Sequence, residues 1–148
     1  MLGLSMTLAG FLIAGADRVL AHKGATGIVK ERMDAMKSLK EDMKAISDML
    51  RGRTAYKGDE VQWRADRIKA HSRDFERLFP SGSNAGPSEA SPRIWSEWSR
   101  FMRQTTDMTA AARALMDAAR REPAARKAFG QLGQTCRACH DDYRLEKP

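Results

Sequence analysis

Apolar residues recur every three to four positions along most of this chain, which is the spacing of one face of an α-helix. Over about residues 26–50, Val29, Met36, Met43 and Leu50 stand seven apart, with Leu39 and Ile46 between them. Over about 92–120 the series is Trp98, Thr105, Ala112 and Ala119, interleaved with Phe101, Met108 and Leu115. Over about 123–146 it is Phe129, Cys136 and Tyr143, with Leu132 and Cys139. A weaker series, Val61, Ile68 and Phe75, marks about 59–78. A repeat near 3.5 residues is the seam of helices packed in a bundle. No segment alternates apolar and polar residues with Val, Ile or Thr enrichment, so no strand is predicted.

Three breaks separate these helices. Arg51-Gly52 to Gly58 is a short polar connection, Pro80 to Ser91 is a Gly/Pro/Ser loop, and Glu122-Pro123 follows Arg120-Arg121. Ser91 suits an N-cap with Pro92 at the first helical position. Short connections place successive helices side by side, so the predicted fold class is all-α, an antiparallel four-helix bundle. Trp63, Trp95 and Trp98 are expected to pack in its core.

The first stretch differs. Leu2 to Ala14 is an apolar run too short to span a bilayer, where about 20 residues are needed, and it fits the core of a secretory signal. Cleavage is expected after Ala21, with an earlier option after Ala16. The expected organisation is a signal over 1–21 and one domain over 22–148. No Lys or Arg precedes the apolar run, which departs from the usual signal pattern and leaves an uncleaved anchor as the alternative to a cleaved signal. After cleavage no stable membrane insertion is expected.

The formal net charge is +7. Basic and acidic residues are mixed along the helices, and no basic arm or basic-aromatic motif appears, so nucleic acid is not an expected partner. An acidic protein partner suits the charge better.

The chemistry concentrates near the C-terminal end. The sequence has two cysteines, and both lie in Cys136-Arg137-Ala138-Cys139-His140. On a helix this puts two thiols one turn apart on one face, with an imidazole beside them. Covalent haem c requires that arrangement: two thioethers to the haem vinyl groups and an axial nitrogen for the iron. A thioredoxin-type dithiol would follow a strand, and a structural zinc site would need a second ligand pair. Both cysteines share the inward stripe, so the haem is expected in the bundle core.

The eight residues after His140 include neither Met nor His, so a second iron ligand is expected upstream. The candidates are the nine methionines, His22 and His71. Met1 and Met6 fall in the signal. A first helix lying near the last favours Met33, Met36, Met43 and Met49, of which Met36 and Met43 are on the inward stripe. His71 reads as a partly exposed helix residue. Arg32 occupies an inward position between Val29 and Met36, where an apolar residue is expected. Either it snorkels to solvent or its guanidinium pairs with a haem propionate.

These features resemble the class II cytochromes c, the cytochrome c prime and cytochrome c-556 family. The resemblance rests on the C-terminal Cys-x-x-Cys-His and on Val29 to Met36. It also rests on Phe79-Pro80, Pro92-Arg93-Ile94-Trp95 and Thr135 to Arg144. It implies one covalent haem c and its iron, held by Cys136, Cys139 and His140, with Met36 at the distal position and Arg32 one turn before it. It also implies that Trp95 and Arg144 contact the haem or its propionates. The expected function is a periplasmic electron carrier rather than an enzyme, monomeric or homodimeric, with iron bound by His140 and Met36. The alternative is a five-coordinate protein that binds nitric oxide or carbon monoxide at an open distal site. A third reading is a redox dithiol without haem.

Overall fold

The computed structural model describes residues 25–84 and 86–145. The expected signal over 1–21, its cleavage sites and His22 lie outside them. Among the described residues the chain forms helices α1 (Gly27–Leu50), α2 (Gly58–Arg73), α3 (Phe75–Leu78), α4 (Arg93–Ser96), α5 (Trp98–Ala118) and α6 (Glu122–Tyr143). Their only β pairing is an isolated bridge between Ala90 and Arg144.

The four long helices follow the predicted segments, and two of the predicted helices are broken. The second ends at Arg73, so that Phe75 and Leu78 turn inward on the separate short α3. The third is interrupted at Glu97, whose backbone leaves the helical region at φ −116°, ψ 33°. Ser91 Oγ accepts the Arg93 amide at 3.3 Å, and Pro92 already has helical angles, as the expected cap requires.

Successive long helices pack side by side, α1 on α2, α2 on α5 and α5 on α6. Gly52, just past α1, has φ +71°, the left-handed conformation that ends a helix at little cost for glycine. Gly58 brings α2 against the end of α5, where a Cβ would stand 2.8 Å from the Ala119 carbonyl oxygen. Tyr56 donates to the same carbonyl.

The core runs through Leu39, Ile46, Val61, Ile68, Phe101, Leu115 and Leu132. At one end it becomes an aromatic cluster. Phe101 packs against Phe79 at 5.0 Å, Tyr143 at 5.5 Å, Trp98 at 5.6 Å and Phe75 at 6.5 Å between centroids. Such pairs add about 0.5–1.5 kcal/mol each beyond area burial, and they join α3, α5 and α6 at this end. Trp63 is the exception among the expected core tryptophans. It is 52% exposed, between the guanidinium groups of Arg64 and Arg67.

The inward face of α1 is rotated from the predicted one. Ala35, Leu39, Asp42, Ile46 and Met49 are buried, whereas Met36 and Met43 are half-buried on its flank. The cause is Asp42, whose carboxylate is taken by Arg64 and Arg67 of α2.

Candidate functional site

The side of the bundle between α1 and α6 differs from the other three. Their backbones approach far less closely than those of the sequential pairs, which departs from the expectation of a first helix close against the last. At 100° per residue, Arg32, Met36 and Met43 lie about 80–120° around α1 from Asp42, all on the side away from α2. On α6, Asp142 meets α5 through Arg100 and Gln104. Cys136, Phe129 and His140 lie about 120–160° around from it, on the side away from α5. Two flanks thus border this side, one with methionines and the other with thiols and an imidazole.

Cys136, Cys139, Phe129, Met36 and Met43 are half-buried and pack against the core, and His140 is exposed at the edge. All three residues of the predicted attachment motif are on α6. Cys136 and Cys139 are not joined to each other in a disulfide. Burial pushes the Cys136 thiol up, and burial together with the neighbouring thiol pushes Cys139 up to about 11. Loss of water around the His140 ring, then the Arg144 guanidinium, lower its pKa and favour the neutral imidazole, the form that binds metal.

Arg32 is 4% exposed, which overturns the snorkelling alternative. Its Nε donates to the Leu78 carbonyl, Nη1 to the Ser83 carbonyl at 2.8 Å and Nη2 to Ser83 Oγ. The guanidinium also lies 4.5 Å from the Phe79 ring centroid and 5.5 Å from that of Trp95. Trp95 Nε1 donates to Pro80 O at 2.9 Å and Phe79 O at 3.2 Å. These two side chains hold the 78–83 turn at the edge of the site. Arg144 is paired with Glu89 at 2.7 Å, and its amide donates to His140 O at 3.0 Å. Met33 is half-buried further round α1, and His71 is half-buried on α2, remote in sequence from this face.

A family profile described as Cytochrome C' matches residues 27–144. The chain belongs to the cytochrome C' family. It is 29% identical to cytochrome c' of Rhodopseudomonas palustris over 95% of both chains. It is 31% identical to cytochrome c-556 of Agrobacterium tumefaciens, over 82% of this chain and 99% of the relative. Among solved structures it is similar to a point mutant of cytochrome c prime from Alcaligenes xylosoxidans in its nitric oxide complex. That match has a TM-score of 0.74 and 27% identity, and covers 81% of this chain and 94% of the other.

As a member of this family the chain is a haem c protein, with one covalent haem and its iron. The residues present suit that group. The only thiols of the sequence stand one turn apart on one flank of α6. Gly133, one turn before Cys136, is half-buried in mid-helix, and a Cβ there would touch nothing within 4 Å. A helix-interior glycine costs about 1 kcal/mol, and no neighbour among the described residues requires one here. Sequence reasoning missed Asp42, Arg64, Arg67, Glu97 and Asp142, which orient the two flanks. Their partners lie on other helices, so no local pattern marked them.

Proposed function

We propose that this chain is a periplasmic mono-haem c protein that binds small neutral diatomic ligands, nitric oxide or carbon monoxide, at an open distal face. In this reading Cys136 and Cys139 carry the thioethers, His140 is the proximal ligand, and Met36 bounds the distal side without ligating. The observation that carries it is the apolar flank of α1. Met36 and Met43 are half-buried there, while α1 itself is fixed by other anchors, Asp42 to α2 and Arg32 to the 78–83 turn. Its position does not depend on a bond from Met36 to the iron. The polarity and access of a distal pocket decide what the iron does, and an apolar wall favours a neutral diatomic over an anion. The similar Alcaligenes protein, whose solved form is a nitric oxide complex, supports the same choice.

The second reading is the expected electron carrier, with the Met36 thioether as sixth ligand. It draws on the similarity to cytochrome c-556 and on Met36 lying one turn from Arg32. A thioether opposite imidazole would raise the potential. The +7 charge would steer such a carrier to an acidic redox partner, at rates that fall as salt rises through about 0.1 M.

The absorption spectrum of the reduced protein, before and after carbon monoxide, tests the proposal. Broad high-spin bands that sharpen on adding the gas are expected. Sharp low-spin bands unmoved by carbon monoxide would transfer the conclusion to the electron carrier. Haem that is extracted by acid-acetone would remove the covalent assignment to Cys136 and Cys139.

A further inference from the structure

The His140 ring makes no side-chain hydrogen bond among the described residues. That is unusual for a histidine read as a metal ligand, because such a ring is normally oriented by a partner on its second nitrogen. The orientation of this one has to come from the backbone that carries it. The last turn of α6 is held at Asp142, two residues on. The Asp142 carboxylate accepts from Gln104 Nε2 at 2.6 Å and from Arg100 Nη2 at 2.8 Å. Its carbonyl accepts from Arg93 Nη1 at 3.2 Å. Gln104 Oε1 is buried without a hydrogen-bond partner among the described residues.

We propose that Asp142, gripped by Arg100 and Gln104 of α5, is the positioning residue for the His140 imidazole. The inference rests on the reading of His140 as the proximal ligand. Asp142 lies about 160° around α6 from His140. It pins the turn on the α5 side, opposite the side that carries the ring. Rotation or tilt of this turn would carry the imidazole directly with it. Fixing Asp142 therefore fixes the height and angle at which the ring meets the iron.

The test uses the holoprotein with Gln104→Leu and, separately, Arg100→Met. Both positions are on α5, so neither variant alters a residue of α6. An Arg53→Met variant, which breaks the ion pair with Asp48 at the far end of α1, is the control. Two quantities are read: amide exchange over residues 139–143, and the iron–histidine stretching band of the reduced protein by resonance Raman. Both α5 variants are expected to speed exchange in this turn by on the order of tenfold, the consequence of losing one charge-assisted hydrogen bond. They are also expected to lower and broaden the iron–histidine band, while the control moves neither. Faster exchange with an unmoved band would overturn the proposal, because Asp142 would then only hold the helix end. A band equally displaced by the control would overturn it too. If the reduced wild type is high-spin by absorption yet shows no iron–histidine band, the assignment of His140 fails and the proposal with it; if the wild type is low-spin, the band is read in the Met36→Ala background. Should one variant fail to fold, the other decides.

Discussion

Asp42 of α1 meets Arg64 of α2 at 3.0 Å while being 1% exposed, so a buried carboxylate and a half-buried guanidinium set how these helices face each other. Arg67 adds a second contact at 3.1 Å. Removing one partner of a buried pair is costly because the other is left uncompensated, by about 3–5 kcal/mol when both are fully buried. Here both arginines reach solvent and Arg64 keeps Glu60, so about 2 kcal/mol is expected for Asp42→Ala. Thermal unfolding should show a midpoint lower by roughly 4–10 °C. An unchanged midpoint would mean that the ion pair orients α1 without stabilising it.

The helices were legible in the sequence because burial repeats along each of them with the period of the backbone. Val61, Ile68, Phe101, Leu115 and Leu132 lie where that period puts them. The grouping of Cys136, Cys139 and His140 was legible for a similar reason, since they are close in one helix. What could not be read was pairing between elements. The burial of Arg32 depends on carbonyls of Leu78 and Ser83, 46 and 51 residues away. The rotation of α1 depends on arginines of α2. Trp63 is a different case: it read as core by residue type, yet it lies about 140–160° around α2 from the buried Val61, Ala65 and Ile68 and so faces outward, with Arg64 and Arg67 against its ring.

Arg32 satisfies the buried Leu78 carbonyl and a partly buried one at Ser83. Arg32→Leu removes three hydrogen bonds and the stacking on Phe79 and Trp95. A loss of about 2–4 kcal/mol is expected, because unsatisfied buried groups cost about 1–3 kcal/mol each and some will recover water. Limited proteolysis should find new cleavage within residues 78–83. If a haem propionate also uses this guanidinium, the reduction potential will shift in the same variant. A stable variant with an uncut turn would show that the anchor lies elsewhere.

Glu97 offers a pH test. Arg93 first, then Arg100 and the Tyr143 hydroxyl, hold its carboxyl below the usual glutamate value. A carboxyl with a depressed folded pKa stabilises the fold in its ionised form. The contribution is complete above the unfolded value, about 4.3, and is lost as pH falls through the depressed one. The melting temperature of the wild type should therefore fall through this acid window more steeply than that of Glu97→Gln. Parallel curves would assign the acid sensitivity to other carboxylates, of which Asp48, held low by Lys44 and Arg53, is the nearest in character.

Met36 separates the two functional readings. Its half-buried side chain lies on the flank of α1 that borders the proposed haem. Met33 is about 60° further round the helix, and Met43 lies roughly 10 Å along it, too far to share one iron. Met36→Ala removes three heavy atoms from the distal wall without touching Asp42 or Arg32, which hold the helix in place. If the distal face is open, the resting spectrum should keep its high-spin form. Carbon monoxide should then associate faster, because the truncated side chain no longer crowds the sixth position. If the thioether is the ligand, the wild type will be low-spin with a sulfur-to-iron charge-transfer band in the near red. The variant would then lose that band, become high-spin and gain carbon monoxide binding that the wild type lacks. The first pattern is the one expected. The second would make this chain an electron carrier whose distal methionine, rather than a gas, completes the iron.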